Sequence, residues 1–152
     1  MECARAIGGA ALFKGLTAND LDQVCELART KGYKSGEIIF SEGSYGDEVC
    51  LVLKGMVRVE LAVHPKADFT TIHRFSEGQV FGELSLADRR NRSATVACET
   101  DCEILTLSCK DLLALFDRNR HLGYVVMGNL AALLSTRLRE TNSRLISAVL
   151  LE

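Results

Sequence analysis

Hydrophobic and polar residues recur along this chain with two different periods. From residue 17 to 28 the apolar side chains fall three or four positions apart, which predicts a helix with Thr17 as its N-cap and Asp20 three positions later. After Gly32 the runs become short, and glycines separate them, as is typical of antiparallel strands in a sandwich or roll. The only proline, Pro65, falls in a predicted hairpin loop. The predicted strands cover residues 37–40, 49–53, 57–63, 69–75, 94–98 and 103–107.

The helical period returns in the last quarter of the chain. A short helix is predicted over residues 111–117, and a long one begins near His121 and continues almost to the end. The long helix carries an apolar stripe at steps of four, four, three, four and four: Leu130, Leu134, Leu138, Thr141, Leu145 and Val149. Such a stripe favours packing against a partner helix, so we expect a homodimer. The alternative, burial against the helix's own domain, fits the first turns around Leu122 and Val126 better.

These elements predict an α+β fold in a single domain. The expected architecture is a β-roll, of the double-stranded β-helix or jelly-roll type, with N-terminal helices and a long C-terminal helix. The N-terminal helical part is assigned to residues 1–30, the β-roll to 31–109 and the C-terminal helices to 110–152. A length of 152 residues suits one domain with a sizeable core.

Composition and charge exclude several classes of function. The formal net charge of −2 gives no sign of a nucleic-acid-binding surface, and no run of residues is long and apolar enough to span a membrane. A signal peptide is not expected either, so the chain is predicted to be cytoplasmic. The three histidines are scattered and lack the neighbours that catalysis needs, and there is no metal signature. We therefore expect no enzyme and no metal.

The six cysteines leave a disulfide, a metal or a redox role open. No CxxC pair occurs, and no cysteine–histidine cluster has zinc spacing. Cys50, Cys98 and Cys109 lie in apolar runs, where a free cysteine behaves as a small buried hydrophobic residue. That interpretation is favoured over a redox or iron–sulfur role.

The richest chemistry lies in residues 81–96, which read FGELSLADRRNRSATV. Gly82 has no Cβ, so the backbone there can approach a ligand closely and can adopt a positive φ. Ionised Glu83 only accepts hydrogen bonds, and a ribose hydroxyl is a natural donor to it. Ser85 lies in a predicted helical turn whose N–H groups can bind an anion. Arg92 adds a planar fork that can hold a phosphate through two hydrogen bonds.

This segment resembles the phosphate-binding cassette of the cyclic nucleotide-binding domain family, in particular its catabolite activator protein-like effector domains. The similarity extends to residues 36–59, which resemble the family's first β-hairpins, and to residues 12–24, which resemble its N-terminal helix. Residues 137–145, reading RLRETNSRL, resemble the long C-terminal helix of the bacterial branch. Nearly the whole chain is covered by the resemblance.

The resemblance implies a set of site residues. For the cyclic phosphate and the ribose it implies Gly82, Glu83, Leu84, Ser85, Arg92, Ser93 and Ala94. It implies Val59 and Ile72 for lining the sugar and base, and Thr141 and Asn142 for contacting the purine, one from each protomer. The expected ligand is cyclic AMP, with cyclic GMP left open. Asn91 stands where the family commonly has proline.

Several of these residues also have a plainer interpretation. Glu83 could cap the turn that follows it, and Arg92 could be a surface arginine, as Arg89 and Arg90 are expected to be. Thr141 could merely set the register of the helix, and Asn142 could be solvated.

The function implied is a sensory or regulatory domain that binds a cyclic nucleotide and transmits its occupancy through the C-terminal helix. Many bacterial relatives carry a DNA-binding module after that helix, and this sequence lacks one, so we expect no direct nucleic acid binding by this chain. Three alternatives stay open: a dimerisation or scaffold module with a vestigial pocket, a sensor of another effector such as haem or a redox state, and the effector half of a transcription regulator without its DNA-binding part.

Overall fold

Two antiparallel four-stranded sheets form the centre of the molecule. The structure is a computed structural model that describes residues 2–62 and 69–151. One sheet has the strand order β1-β8-β3-β6 and the other β2-β7-β4-β5, which is the crossed connectivity of a roll. The strands are β1 (Arg29–Tyr33), β2 (Ile38–Phe40), β3 (Glu48–Lys54), β4 (Val57–Ala62), β5 (Phe69–Phe75), β6 (Val80–Phe81), β7 (Thr95–Cys98) and β8 (Cys102–Ser108). The predicted α+β roll is confirmed.

Strand β3 shows why the central strands are apolar on both faces. Val49 and Leu51 contribute to a core between this sheet and the helices. Cys50 and Val52 point the other way, into a second core between the two sheets. Because successive side chains of a strand alternate between its faces, a strand with both faces buried reads as a continuous apolar run.

The N-terminal helices cover the outer face of the first sheet. They are α1 (Glu2–Gly8), a 3₁₀ turn (Ala11–Phe13) and α2 (Ala18–Cys25). The predicted cap of α2 is confirmed as a reciprocal capping box, in which the Asp20 N–H donates to Thr17 Oγ1 and the Thr17 N–H donates to Asp20 Oδ2, both at 3.1 Å.

Three helices follow in the second half of the chain: α3 (Leu84–Asp88), α4 (Cys109–Arg118) and α5 (Arg120–Leu150). Asn119 separates α4 from α5 and caps α5 by accepting from the Leu122 N–H at 3.1 Å. Its Nδ2 also donates to Asp20 at 2.9 Å, and further along α5 the Nδ2 of Asn129 donates to two backbone carbonyls of the N-terminal segment. These two side chains fasten the first turns of α5 to the N-terminal helices.

The stripe of α5 changes character along the helix. Leu130 is buried and Leu134 packs at the edge of the core. Leu138, Leu145 and Val149 are each 62% exposed, so the second half of the stripe is not covered by the chain's own roll. The expected burial of Leu122 and Val126 is confirmed.

The six predicted strands all form, with ends within one residue of the structure; residue 63 and Pro65 lie outside the described residues. Strands β1 and β6 were not predicted. In β1 four of the five residues are exposed, so no hydrophobic period marks it, and β6 has only two residues.

The cysteines divide into two groups. Cys50, Cys98 and Cys109 are free and buried as expected, and so is Cys102. Cys3 and Cys25, which were not assigned from the sequence, form a disulfide between α1 and α2 with their Cα atoms 6.0 Å apart. The two cysteines meet because α1 packs against α2, a tertiary contact that a separation of 22 residues does not reveal.

Within residues 2–62 and 69–151, no helix combines the length and apolar character needed to cross a bilayer. In the same residues no three histidine, cysteine or acidic side chains cluster as metal ligands would.

Candidate functional site

A cavity of about 440 Å³ opens between the roll, α3 and α5. Ten of the eleven residues predicted for the site line it: Val59, Ile72, Gly82, Glu83, Leu84, Ser85, Arg92, Ser93, Ala94 and Thr141. Asn142 does not line the cavity. It follows Thr141 by about 100° around the helix and is exposed. Its contact with the purine, for which the resemblance implies one residue from each protomer, stays a prediction.

Arg92 is the most buried cation of the cavity, with only 8% of its surface exposed. Its Nη1 donates to Ser85 Oγ at 2.8 Å and to the Gly82 carbonyl at 3.3 Å, and its Nη2 donates to the Glu48 carbonyl at 3.0 Å. The guanidinium also stacks over the Phe40 ring at 3.9 Å. The interpretation of Arg92 as an ordinary surface arginine is wrong.

These three hydrogen bonds leave two of the five guanidinium N–H groups for a ligand. One of the two is on Nε, which is buried and has no hydrogen-bond partner among the described residues. Buried polar groups are almost always paired, so the unpaired Nε–H of Arg92 is an exception among the described residues.

Two glycines make room for this guanidinium. Gly82 has φ +74°, and a Cβ there would lie 2.9 Å from Arg92 Nη1. Gly82 thus adopts the positive φ that its lack of a Cβ allows. At Gly46, which the sequence did not single out, a Cβ would lie 2.8 Å from Arg92 Nε. Any side chain at either position would push Arg92 away from its contacts.

The loop between β2 and β3 fixes the backbone of Arg92. The Arg92 N–H donates to the Ser44 carbonyl at 2.7 Å, and the Gly43 N–H donates back to the Arg92 carbonyl at 2.8 Å. Both backbone groups of Arg92, its N–H and its carbonyl, are therefore hydrogen-bonded to this loop. This holds although Asn91 stands where the family commonly has the more rigid proline.

Glu83 is 4% exposed and forms an ion pair with Arg137 of α5. Glu83 stands at the N-cap position of α3, but its side chain makes no capping hydrogen bond to that helix. Arg137 Nη2 also donates to the Val80 carbonyl at 2.6 Å, and its guanidinium lies 4.9 Å from the centre of the Phe75 ring. Burial lowers the pKa of Arg137, and the nearby carboxylate of Glu140 partly restores it.

The predicted helical turn after Glu83 forms as α3. Its first hydrogen bond runs from the Ser85 N–H to the Gly82 carbonyl at 3.3 Å. The N–H groups of Glu83 and Leu84 lie before this bond and are not used by the turn. Arg89 ends α3 in the left-handed conformation with φ 53°. Arg89 and Arg90 are exposed as expected, although Arg90 reaches the rim of the cavity.

The opposite end of the cavity is formed by β4, β5 and α5. Val59 packs on the core between the sheets, and Ile72 is 42% exposed at a register shift between β4 and β5. His73 stacks edge-on against Phe75 with ring centres 4.5 Å apart. Arg144 donates from Nη1 to the Ile72 carbonyl at 3.0 Å, which holds α5 against β5.

The electrostatic balance of the cavity suits an anion. Its charged lining residues are four arginines and three carboxylates, which leaves one net positive charge: Arg90, Arg92, Arg137, Arg144, Glu83, Asp88 and Glu140. Burial and the cations Arg144 and Arg137 lower the pKa of His73, so its ring is neutral near pH 7. A small monoanion with an apolar face would match both the charge and the aromatic walls.

Sequence reasoning missed several functional contacts. Arg137, Glu140 and Arg144 fall on the same face of α5 as Thr141, because their spacings of three, four and seven are helical. The helical spacing was a usable signal, since all three residues lie within the quoted stretch RLRETNSRL. Phe40 and Gly46 had no such signal, because only folding brings them to Arg92.

Comparisons with known proteins agree with this geometry. The family model for the cyclic nucleotide-binding domain matches residues 30–119. The chain is 36% identical over 137 residues to the cyclic AMP receptor protein of Thermus thermophilus, covering 90% of this chain and 61% of that protein. The crystal structure of the Thermus thermophilus catabolite activator protein superposes with a TM-score of 0.79 at 35% identity, covering 92% of this chain and 63% of that one.

A cyclic nucleotide-binding domain from Methylobacillus flagellatus superposes with a TM-score of 0.83 at 26% identity, covering 97% of this chain and 82% of that chain. The chain thus spans less than two thirds of the Thermus relative and most of the Methylobacillus domain.

Proposed function

We propose that this chain, which belongs to the cyclic nucleotide-binding domain family, is a regulatory domain that binds cyclic AMP in the cavity described above and transmits occupancy through α5. We propose further that residues 1–152 act as one domain, that the domain catalyses no reaction itself, and that it works in the cytoplasm.

One observation carries the ligand proposal. Arg92, with its unpaired Nε–H, and the buried carboxylate of Glu83 line the same cavity. A cyclic phosphate would accept from the free N–H groups of Arg92, and a ribose 2′-hydroxyl would donate to Glu83. The N–H groups of Glu83 and Leu84 can add to the phosphate contact. The single net positive charge of the lining balances the single negative charge of a cyclic phosphate.

Cyclic AMP is the first ligand to consider because the Thermus relative carries that ligand in its name. Val59 and Ile72 would then flank the sugar and base. Thr141 lies at the far end of the same cavity, on α5.

The route of transmission that we propose runs through Glu83. In the structure this carboxylate is paired with Arg137 of α5, and a bound ribose would share it. Occupancy of the ribose position is therefore linked to the position of α5, and the ligand can shift α5 only by its differential affinity for the two arrangements. The exposed second half of the stripe is the surface through which we expect two copies to pair.

Calorimetric titration of the purified chain tests the proposal. We expect saturable binding of cyclic AMP and no comparable binding of 5′-AMP, whose open phosphate carries a second negative charge and lacks the ring. Sedimentation with and without ligand measures the protomer count. Absence of saturable binding by any cyclic nucleotide, with the dimer intact, would replace this proposal with the scaffold module.

A further inference from the structure

The guanidinium of Arg92 is stacked on an aromatic ring. Phe40, the last residue of β2, lies with its ring centre 3.9 Å from the guanidinium carbon, a separation that fits the stacking of two planar groups. The hydrogen bonds from this side chain to the protein all leave from its two Nη atoms. Hydrogen bonds accept a broad range of directions at a carbonyl oxygen, so these bonds set the tilt of the guanidinium plane only loosely. A ring packed on the plane removes that freedom.

The ring of Phe40 is itself held in place by the core between the two sheets. It packs against Phe81 with ring centres 5.9 Å apart, and Phe81 packs against Phe75 at 6.0 Å. Phe81 is fully buried. Gly82 leaves the space in which ring and cation meet, because a Cβ there would lie 2.9 Å from Arg92 Nη1 and 3.6 Å from Phe40 Cε1. Phe40 is therefore a well-supported surface against which the cation can be oriented.

A stacked ring orients a guanidinium without using any of its N–H groups. The negative face of the π system attracts the cation, so the donors at the edge of the guanidinium stay free. A carboxylate in the same place would accept from those donors and would compete with an anionic ligand. Phe40 lines the cavity, and the Nε–H of Arg92 has no partner among the described residues. The stack thus holds the charge in place and leaves its unused donors available.

We propose that Phe40 is a positioning residue for the phosphate contact, whose ring holds the plane of Arg92 so that the unused N–H groups can reach a bound phosphate. The inference rests on the proposed function, because it takes Arg92 as the phosphate ligand from it. It adds a residue of β2, outside the segment 81–96, to those on which the affinity depends. It also assigns the effect of that residue to the electrostatics of its ring and not to its size.

Fluorination of the Phe40 ring tests the proposal, because each fluorine weakens the negative face and changes the shape of the ring little. Phenylalanines that carry one, two or three fluorines are incorporated at position 40, and cyclic AMP is titrated calorimetrically. We expect Kd to rise with each fluorine, to about fivefold at three, the factor that corresponds to a partly desolvated cation–π contact. The same series at Phe116 is the matched control. Phe116 lies in the core between the first sheet and the helices and does not line the cavity, so Kd should stay unchanged there.

A double-mutant cycle measures whether Phe40 acts through Arg92. Phe40→Leu keeps an apolar side chain and should weaken cyclic AMP binding at least about fivefold in the parent chain. In Arg92→Ala the same change should add less than about twofold, because the group that the ring positions is gone. Circular dichroism and thermal unfolding establish that each variant is folded at the temperature of titration.

Three results would overturn the inference and leave the proposed function standing: a Kd that does not follow the number of fluorines at position 40, a parallel rise at position 116, or equal losses from Phe40→Leu in the two backgrounds. Failure of the parent chain to bind any cyclic nucleotide would instead overturn the proposed function, and the inference with it.

Discussion

Replacing Arg92 by alanine gives the most direct measure of the proposed phosphate contact. Two guanidinium N–H groups remain for a ligand after the three bonds to Ser85, Gly82 and Glu48 are counted. Hydrogen bonds to charged groups are worth about 1.5–3 kcal/mol each, so losing two costs at least about 3 kcal/mol. That loss corresponds to an increase in Kd of at least about 100-fold.

The same substitution also affects the folded state. The carbonyls of Gly82 and Glu48 and the hydroxyl of Ser85 lose their donor, and leaving buried groups unpaired costs about 1–3 kcal/mol. Thermal unfolding must therefore be measured beside calorimetry, and titrations must be run well below the midpoint of the variant. Arg92→Lys separates the two effects, because it keeps the charge and loses the planar fork.

We expect the affinity for cyclic AMP to fall in the order parent, Arg92→Lys, Arg92→Ala. Arg139→Ala, on the exposed side of α5, removes an arginine without touching the cavity and should bind like the parent chain. If folded Arg92→Ala binds within about threefold of the parent, the two free N–H groups do not hold the phosphate and the reasoning is refuted.

Three further predictions follow from other parts of the structure. Gly46→Ala should weaken nucleotide binding at least about tenfold with little loss of secondary structure by circular dichroism, because its Cβ would lie 2.8 Å from Arg92 Nε; unchanged affinity would contradict this. Because the pKa of His73 is lowered from 6.5, the unfolded chain binds its proton more readily, so the free energy of unfolding should fall as pH drops through 6.5. His73→Gln should reduce that fall in urea titrations, and an identical pH dependence would exclude His73 as its source. Leu145→Glu should lower the sedimentation mass toward one protomer while leaving the fold intact, since Leu145 is 62% exposed; retention of the parent's dimer mass would place the contact elsewhere.

Much of the roll could be predicted from the sequence because its central strands are buried on both faces. Runs such as residues 49–53 are apolar throughout, and glycine separates them, so pattern alone locates them within one residue. Strand β1 could not be predicted because it is an edge strand whose residues are mostly exposed. Its place in the sheet depends on pairing with β8, which no local period records.

The site shows the same division between local and tertiary information. Glu83 and Arg92 lie in one contiguous segment with a glycine-led turn, so composition and spacing were enough to select them. The partner of Glu83 could not be selected in this way, because Arg137 lies 54 positions later and reaches Glu83 only when α5 crosses the roll. The disulfide between Cys3 and Cys25 was missed for the same reason.

The first turns of α5 are anchored to the N-terminal segment, and the later turns contact the roll through Arg137 and Arg144, so the helix can act as a lever. Asn119 and Asn129 hold its first turns to the N-terminal segment, whereas the part beyond Leu130 extends about 30 Å to Leu150. A rotation of only about 10° at the anchored end would move the far tip by about 5 Å, close to one helical pitch. A displacement of a fraction of that size beside Arg137 would be magnified into a new position for the exposed leucines.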